Sequence, residues 1–169
     1  MSPEISELLS EVKLVSADIT FEKEISVDLG GLIVKLLYFH AAHTRGDMFI
    51  YLPDQKLLFG GDIIVDRFFP IMPDEDSSVL GWMKSLKKLK ALKPEIVVPG
   101  HGSVSDVSLI DQLSIYLAAM KLKVSLAKRN ELSLEETLQL LIPQFQRSYS
   151  HWDDPHWIKN AIERLYAEI

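Results

Sequence analysis

The chain contains no cysteine. That excludes disulfides, cysteine-zinc knuckles and a thiolate nucleophile, so any metal must be held by His, Asp or Glu. No run of about eighteen apolar residues occurs, so no transmembrane helix is expected. Basic residues are the minority sign: 18 Lys and Arg against 24 Asp and Glu give a formal net charge of −6. A field of that sign repels nucleic acid and anionic membrane surfaces. The first residues, Met1-Ser-Pro-Glu-Ile-Ser-Glu, lack a basic start and an apolar core segment, unlike a secretory leader. The expected location is the cytoplasm.

What is present is the makeup of a globular protein. The 169 residues are 47% apolar and 25% charged, close to the soluble average, which argues against disorder and fibrous repeats. The character of the chain changes near the middle. Residues 1–103 read as strand-rich and 104–169 as helical, the two parts of one domain. Strands are expected over Asp18–Phe21, Ile25–Leu29, Leu32–Phe39, Met48–Leu52, Lys56–Phe59 and Ile96–Val98. Turn signals separate them: Gly30-Gly31, Pro53-Asp54-Gln55 and Gly60-Gly61. The stretch from Leu32 to Phe39 is nearly continuous in apolar residues, so both faces of that strand call for cover.

Helices follow from 3.6-residue periodicity. Between Ser77 and Leu92, the residues Val79, Trp82, Met83, Leu86 and Leu89 form one stripe. Lys84, Lys87, Lys88 and Lys90 lie mostly off it and read as a solvated face. Val107–Arg129 is a long helix with Ile110, Leu113, Leu117, Met120 and Val124 inward. Ser133 caps a helix expected to stop before Pro143. Asp153-Asp154-Pro155 opens the last helix, with Ile158, Ile162, Leu165 and Ile169 as its buried stripe. Ser2-Pro3 opens a short N-terminal helix.

Three polar residues stand just past apolar strands and beside glycine: His43, Asp62 and His101. Strand ends present side chains to a shared crevice, and flanking glycines permit close backbone approach. Two His and one Asp are donors suited to zinc, manganese or iron. His40 lies three residues before His43 and would need a turn between them to share an ion. His151 and His156 read as surface-loop residues.

These contexts carry a resemblance. His43-Thr-Arg-Gly-Asp47 resembles the third histidine motif of the metallo-β-lactamase superfamily. Leu57-Leu-Phe-Gly-Gly-Asp62 resembles the strand that leads to its bridging aspartate, and Val98-Pro-Gly-His101-Gly its last histidine motif. The resemblance covers the C-terminal half of the family domain; the helical tail, with Trp152 and Trp157, is also similar. It implies an α+β fold, the second half of a four-layer αββα sandwich: one mixed sheet plus covering helices. It implies that His43 ligates a first metal, that Asp62 bridges two and has the catalytic role, and that His101 ligates the second. Asp47 then orients the His43 loop, and Phe68, Phe69 and Met72 line the substrate cleft. The implied cofactor is zinc, up to two ions, with iron or manganese as alternatives.

The implied activity is metal-dependent hydrolysis of a small-molecule ester, thioester, lactam or lactone by metal-bound hydroxide. The family's His-x-His-x-Asp-His signature does not occur, so the chain looks like a member that starts just after its first metal motif. Two ligands per ion remain where a catalytic zinc normally has three, so the chain alone is expected to be weakly active or inactive. The sheet face that meets the other half in the family would be bare. That predicts a homo-oligomer or pairing with a complementary N-terminal fragment, with neither nucleic acid nor membrane as partner. The alternative is a non-catalytic half-domain that associates through that bare sheet. A mononuclear or diiron relative ranks last, because no flavin-binding domain accompanies the incomplete ligand set.

Overall fold

A computed structural model describes Leu9, residues 11–73 and residues 75–169. The helix expected at Ser2-Pro3 lies outside the described residues. Five strands form one sheet in sequential order: β1 (Glu24–Asp28), β2 (Ile33–Leu37), β3 (Phe49–Leu52), β4 (Leu57–Phe59) and β5 (Ile96–Val98). Neighbours are antiparallel up to β4, and β4 pairs in parallel with β5. Among the described residues, four helices follow or interrupt them: α1 (Val79–Ala91), α2 (Ser108–Arg129), α3 (Leu134–Ser148) and α4 (Trp157–Glu168). The architecture is α+β, a mixed sheet covered by helices.

Strand direction places the site. Both β2 and β4 run antiparallel to β3, so they point the same way, and β5 follows β4. The carboxyl ends of β2, β4 and β5 therefore meet at one edge of the sheet. The loops after them carry His43, Asp62 and His101.

Among the described residues, the helices cover one face of the sheet. Partners in register share a face, and Leu37, Phe49, Tyr51, Leu58 and Val97 are all buried on the helical side. The Tyr51 hydroxyl donates to the Leu92 carbonyl at 3.1 Å, tying the sheet to the end of α1. On the opposite face, Val34, Leu36 and Ile50 are half-buried, and Val27, Phe59 and Ile96 are exposed at 37%, 38% and 45%. The apolar run of β2 thus receives cover on one face alone among the described residues.

Two expectations are corrected. Asp18–Phe21 is not a strand. It has no neighbour to pair with in the sheet, and a strand alone cannot satisfy its backbone groups. Nor does the helix at Ser133 stop before Pro143: α3 runs through it to Ser148. Proline removes one hydrogen bond at a cost of about 3 kcal/mol. Leu141 and Phe145, each 2% exposed, pack on either side of it, and burying two such side chains offsets that cost at ~2 kcal/mol each. The Ser133–Glu136 capping box holds the other end.

The stripes of α1, α2 and α4 fall where periodicity puts them, apart from Met83, which is half-buried, and Ile169, which packs at the rim. The last helix begins at Trp157, two residues after Pro155.

One buried hydroxyl is left without a partner among the described residues. The Tyr116 ring packs against Phe69, Phe145, Tyr149 and Trp152, and its buried hydroxyl has no hydrogen-bond partner among the described residues. Burial, with Tyr149 nearby, pushes its pKa well above the usual range. An unsatisfied buried hydroxyl costs about 1–3 kcal/mol. Tyr116→Phe is therefore expected to hold or raise the thermal midpoint by a few degrees, about 2–4 °C per kcal/mol. A lowered midpoint in calorimetry would mean that a buried water serves that hydroxyl.

Candidate metal centre

His43 sits in the loop between β2 and β3, and that loop is tied from several sides. The Asp47 carboxylate accepts from the Ala42 and Thr44 amides at 3.1 Å and 3.0 Å, and from the Thr44 hydroxyl at 2.9 Å. It spans the residue on each side of His43. Buried Ser77 donates its hydroxyl to the His43 carbonyl at 2.7 Å, and the Ser78 amide donates to the Ala42 carbonyl at 2.8 Å. The loop is thereby fastened to the start of α1. Removing the Asp47 carboxylate leaves three donors unpaired. Asp47→Ala is expected to cost about 2 kcal/mol and lower the thermal midpoint by ~5 °C, read by calorimetry. A midpoint within a degree of wild type would contradict that account.

Asp62 sits in a 3-10 turn, Gly61–Ile63, directly after β4. The turn is held from below, where the Trp82 indole N–H donates to the Ile63 carbonyl at 2.8 Å. His101 follows β5 after Pro99 and Gly100. Gly100 explains the glycine there: its amide donates to the Gly61 and Ile64 carbonyls at 3.0 Å and 2.9 Å. A Cβ at that position would lie 2.5 Å from Asp62 Oδ1 and 2.7 Å from the Gly61 carbonyl carbon. Only a residue without a side chain lets the two loops approach this closely.

The three side chains meet. His43 Nε2 lies 3.5 Å from Asp62 Oδ2, and His101 Nε2 lies 3.3 Å from Asp62 Oδ1. One carboxylate therefore faces two imidazoles, each through a different oxygen. His43 Nδ1 is 2.8 Å from the Ile71 carbonyl. A carbonyl only accepts, so Nδ1 carries the proton and the Nε2 lone pair of a neutral ring is aimed at Asp62. Two acceptors in apposition suit a shared cation, and a backbone partner on the far nitrogen is the usual support of a metal-binding histidine.

The donors fit zinc, manganese or iron in kind. They fall short in number: among the described residues no three His, Asp or Glu side chains converge on one point that could hold an ion. The cluster is two pairs that share Asp62. It lies on an open rim, with 40% of the Asp62 side chain and 43% of that of His101 exposed.

The other candidates separate. His40 stays out of the cluster; its pKa is lowered, by burial first and then by the charges of Lys88 and Lys84. His156 pairs loosely with Asp154 at 3.8 Å, and His151 is exposed. The three residues expected at the cleft wall differ in burial. Phe69 is 0% and Met72 2% exposed, both part of the core. Phe68 alone keeps an open side, stacked on the His101 ring. Strand-like alternation after Arg67 sends successive side chains to opposite sides, and the Phe68-Phe69 pair does not reveal which goes in. Sequence reasoning missed the Ile71 carbonyl, Ser77 and Trp82. The first is a backbone atom with no residue signature, and the other two fall in the stretch read as an amphipathic helix, Trp82 on its apolar stripe.

Known proteins share part of this chain's sequence and fold. The sequence profile of the metallo-beta-lactamase superfamily matches residues 5–101, more than half of the chain. A metallo-beta-lactamase type 2 of Bacteroides fragilis is 32% identical over 94 residues, which are 54% of this chain and 38% of that protein. A beta-lactamase-like protein 2 homolog of Caenorhabditis elegans is 30% identical over 94 residues, 56% of this chain and 29% of that one. Among solved structures, a metallo-beta-lactamase from Pontibacter korlensis superposes with a TM-score of 0.56 at 28% identity, covering 69% of this chain and 56% of that chain. The chain thus spans less than half the length of the curated relatives it matches. No helix among the described residues is long and apolar enough to cross a membrane. The profile match, the relatives and the shared fold place this chain in the metallo-beta-lactamase superfamily.

Proposed function

We propose that this chain carries the C-terminal half of the centre of a metal-dependent hydrolase acting on a small-molecule ester, thioester, lactam or lactone. His43 serves one ion, His101 a second, and Asp62 lies between them as the bridging ligand. The observation that carries this reading is the pairing of two imidazole nitrogens with the two separate oxygens of one carboxylate, at 3.5 Å and 3.3 Å. Zinc suits the donors best, with iron or manganese as alternatives. When bound, such ions supply Lewis acidity and a nucleophile at neutral pH. The chain's own contribution is orientation. The Ile71 carbonyl fixes the tautomer of His43, Asp47 holds its loop, and Gly100 brings the His101 loop against Asp62.

Two donors per ion fall short of the three that catalytic zinc normally takes. The remaining donors are to come from a second copy or a complementary fragment across the bare sheet face. Metal content per purified chain, by elemental analysis after loosely held ions are removed, tests this. Near two ions per chain supports the reading and implies donated ligands. Metal-free chain that stays metal-free on zinc titration overturns it for the chain as it stands.

A second reading, a non-catalytic half-domain that associates through its sheet, is favoured by one observation: the apolar sheet face away from the described helices, where Leu36 and Ile50 are half-buried and Phe59 is exposed. Light scattering is expected to show a species larger than the monomer. A strict monomer that binds no apolar dye would refute it.

A further inference from the structure

The two imidazoles that face Asp62 are oriented by different means. His43 is fixed by the hydrogen bond from its Nδ1 to Ile71. The Nδ1 of His101 has no partner among the described residues. Its ring lies instead on Phe68, with centroids 4.9 Å apart and planes within 17°.

Phe68 is itself held. Its segment runs beside the turn between α3 and α4, where it forms a parallel bridge with Asp153. The Asp153 amide donates to the Arg67 carbonyl at 2.8 Å, and the Phe69 amide donates to the Asp153 carbonyl at 3.2 Å. The next side chain, Phe69, is locked in the core against Trp152 and Tyr116. With Phe69 pinned inward and the backbone clamped on both sides, Phe68 has one direction left, onto the His101 ring.

We propose that Phe68 is the positioning residue of His101: its ring sets the plane of the imidazole in place of the missing hydrogen bond. The turn between α3 and α4 acts through it on the metal centre. An imidazole with a free Nδ1 otherwise rotates about its Cβ–Cγ bond and aims its Nε2 lone pair away from Asp62. The consequence for metal rests on the reading of His101 as a ligand; the stack does not.

The test uses the full chain with ring-labelled histidine, followed by proton–carbon NMR at one fixed pH. Signals are assigned by their loss in His101→Gln and His43→Gln. Stacking predicts His101 ring protons upfield of those of exposed His151 in the wild type, before any variant is made. Phe68→Leu is expected to move them downfield toward free imidazole, and Phe68→Tyr to keep them in place. His43, held by Ile71, stays unmoved in both.

Zinc titrated against the same signals is expected to bind at His101 about tenfold more weakly in Phe68→Leu, the range seen when an orienting partner of a ligand is lost. Phe68→Tyr retains wild-type binding. His101 signals at the His151 position in the wild type, or His43 and His101 shifting together with no rescue by tyrosine, would overturn the proposal. Upfield signals with no zinc response would leave the stack standing and count against the metal reading alone.

Discussion

Gly81→Ala is expected to lower the thermal midpoint by about 6 °C, although alanine is the better helix former. Gly81 lies in the first turn of α1, where its amide donates to the Ser78 hydroxyl at 2.9 Å. A Cβ built there would fall inside the van der Waals radius of the Ala41 carbonyl oxygen, with the Ala41 carbonyl carbon 3.1 Å away. Both obstacles are backbone, so no side chain can swing aside. Helix propensity alone favours the change by ~1 kcal/mol. Forcing two backbone segments apart in a packed region costs about 3 kcal/mol or more. The clash wins by about 2 kcal/mol, and at about 2–4 °C per kcal/mol that net cost gives the stated shift.

The displaced segment is the one that carries His43. Ala41 and Ala42 precede His43, and the start of α1 grips the His43 and Ala42 carbonyls through Ser77 and Ser78. The helix start is in turn held by Glu168, whose carboxylate accepts from the Val79 and Leu80 amides at 3.2 Å and 2.9 Å. The end of α4, the start of α1 and the His43 loop form one connected series. Gly46→Ala is the control. Its nearest neighbour would be 4.0 Å away, and a midpoint within about 2 °C of wild type is expected. Equal midpoints for the two variants in a calorimeter would show that the Ala41 contact does not decide the loop position.

Most of the fold was legible because its signals are local. Turn residues punctuate β1 to β5, and β5 falls where the Ile-Val-Val run puts it. The apolar stripes of α1, α2 and α4 need no partner to be read. The failures needed one. Asp18–Phe21 has strand-forming residues but no neighbour in the sheet. Pro143 is a sound stop signal in isolation, overruled by the packing of Leu141 and Phe145. The site divides the same way. His43, Asp62 and His101 stand out as polar residues at apolar strand ends, and shared strand direction brings them to one edge. The Ile71 carbonyl and the Phe68 stack are invisible in sequence, because both depend on the path of the chain between Asp62 and α1. Phe68, Phe69 and Met72 carry the same apolar signal in sequence, although Phe69 and Met72 are buried and Phe68 keeps an open side.

Asp62→Asn is expected to remove the metal of both positions, whereas His43→Gln and His101→Gln each remove one. The asymmetry follows from sharing. Each imidazole faces one oxygen of the carboxylate, so a histidine variant leaves one histidine–oxygen pair intact. The amide of Asp62→Asn keeps one oxygen but loses the charge and turns the other donor atom into an N–H₂ that cannot bind a cation. A site built from two donors per ion does not survive the loss of its only anionic one. The change leaves little structural trace, since Asp62 is 40% exposed, and an exposed isosteric substitution shifts stability by about 0.5 kcal/mol or less. Metal per chain is measured for all three variants beside the wild type, together with the thermal midpoint of the metal-free forms. Equal losses across the three, with unchanged midpoints, would show that the ions bind independently of a shared carboxylate. Loss of both ions in Asp62→Asn alone would establish the bridge.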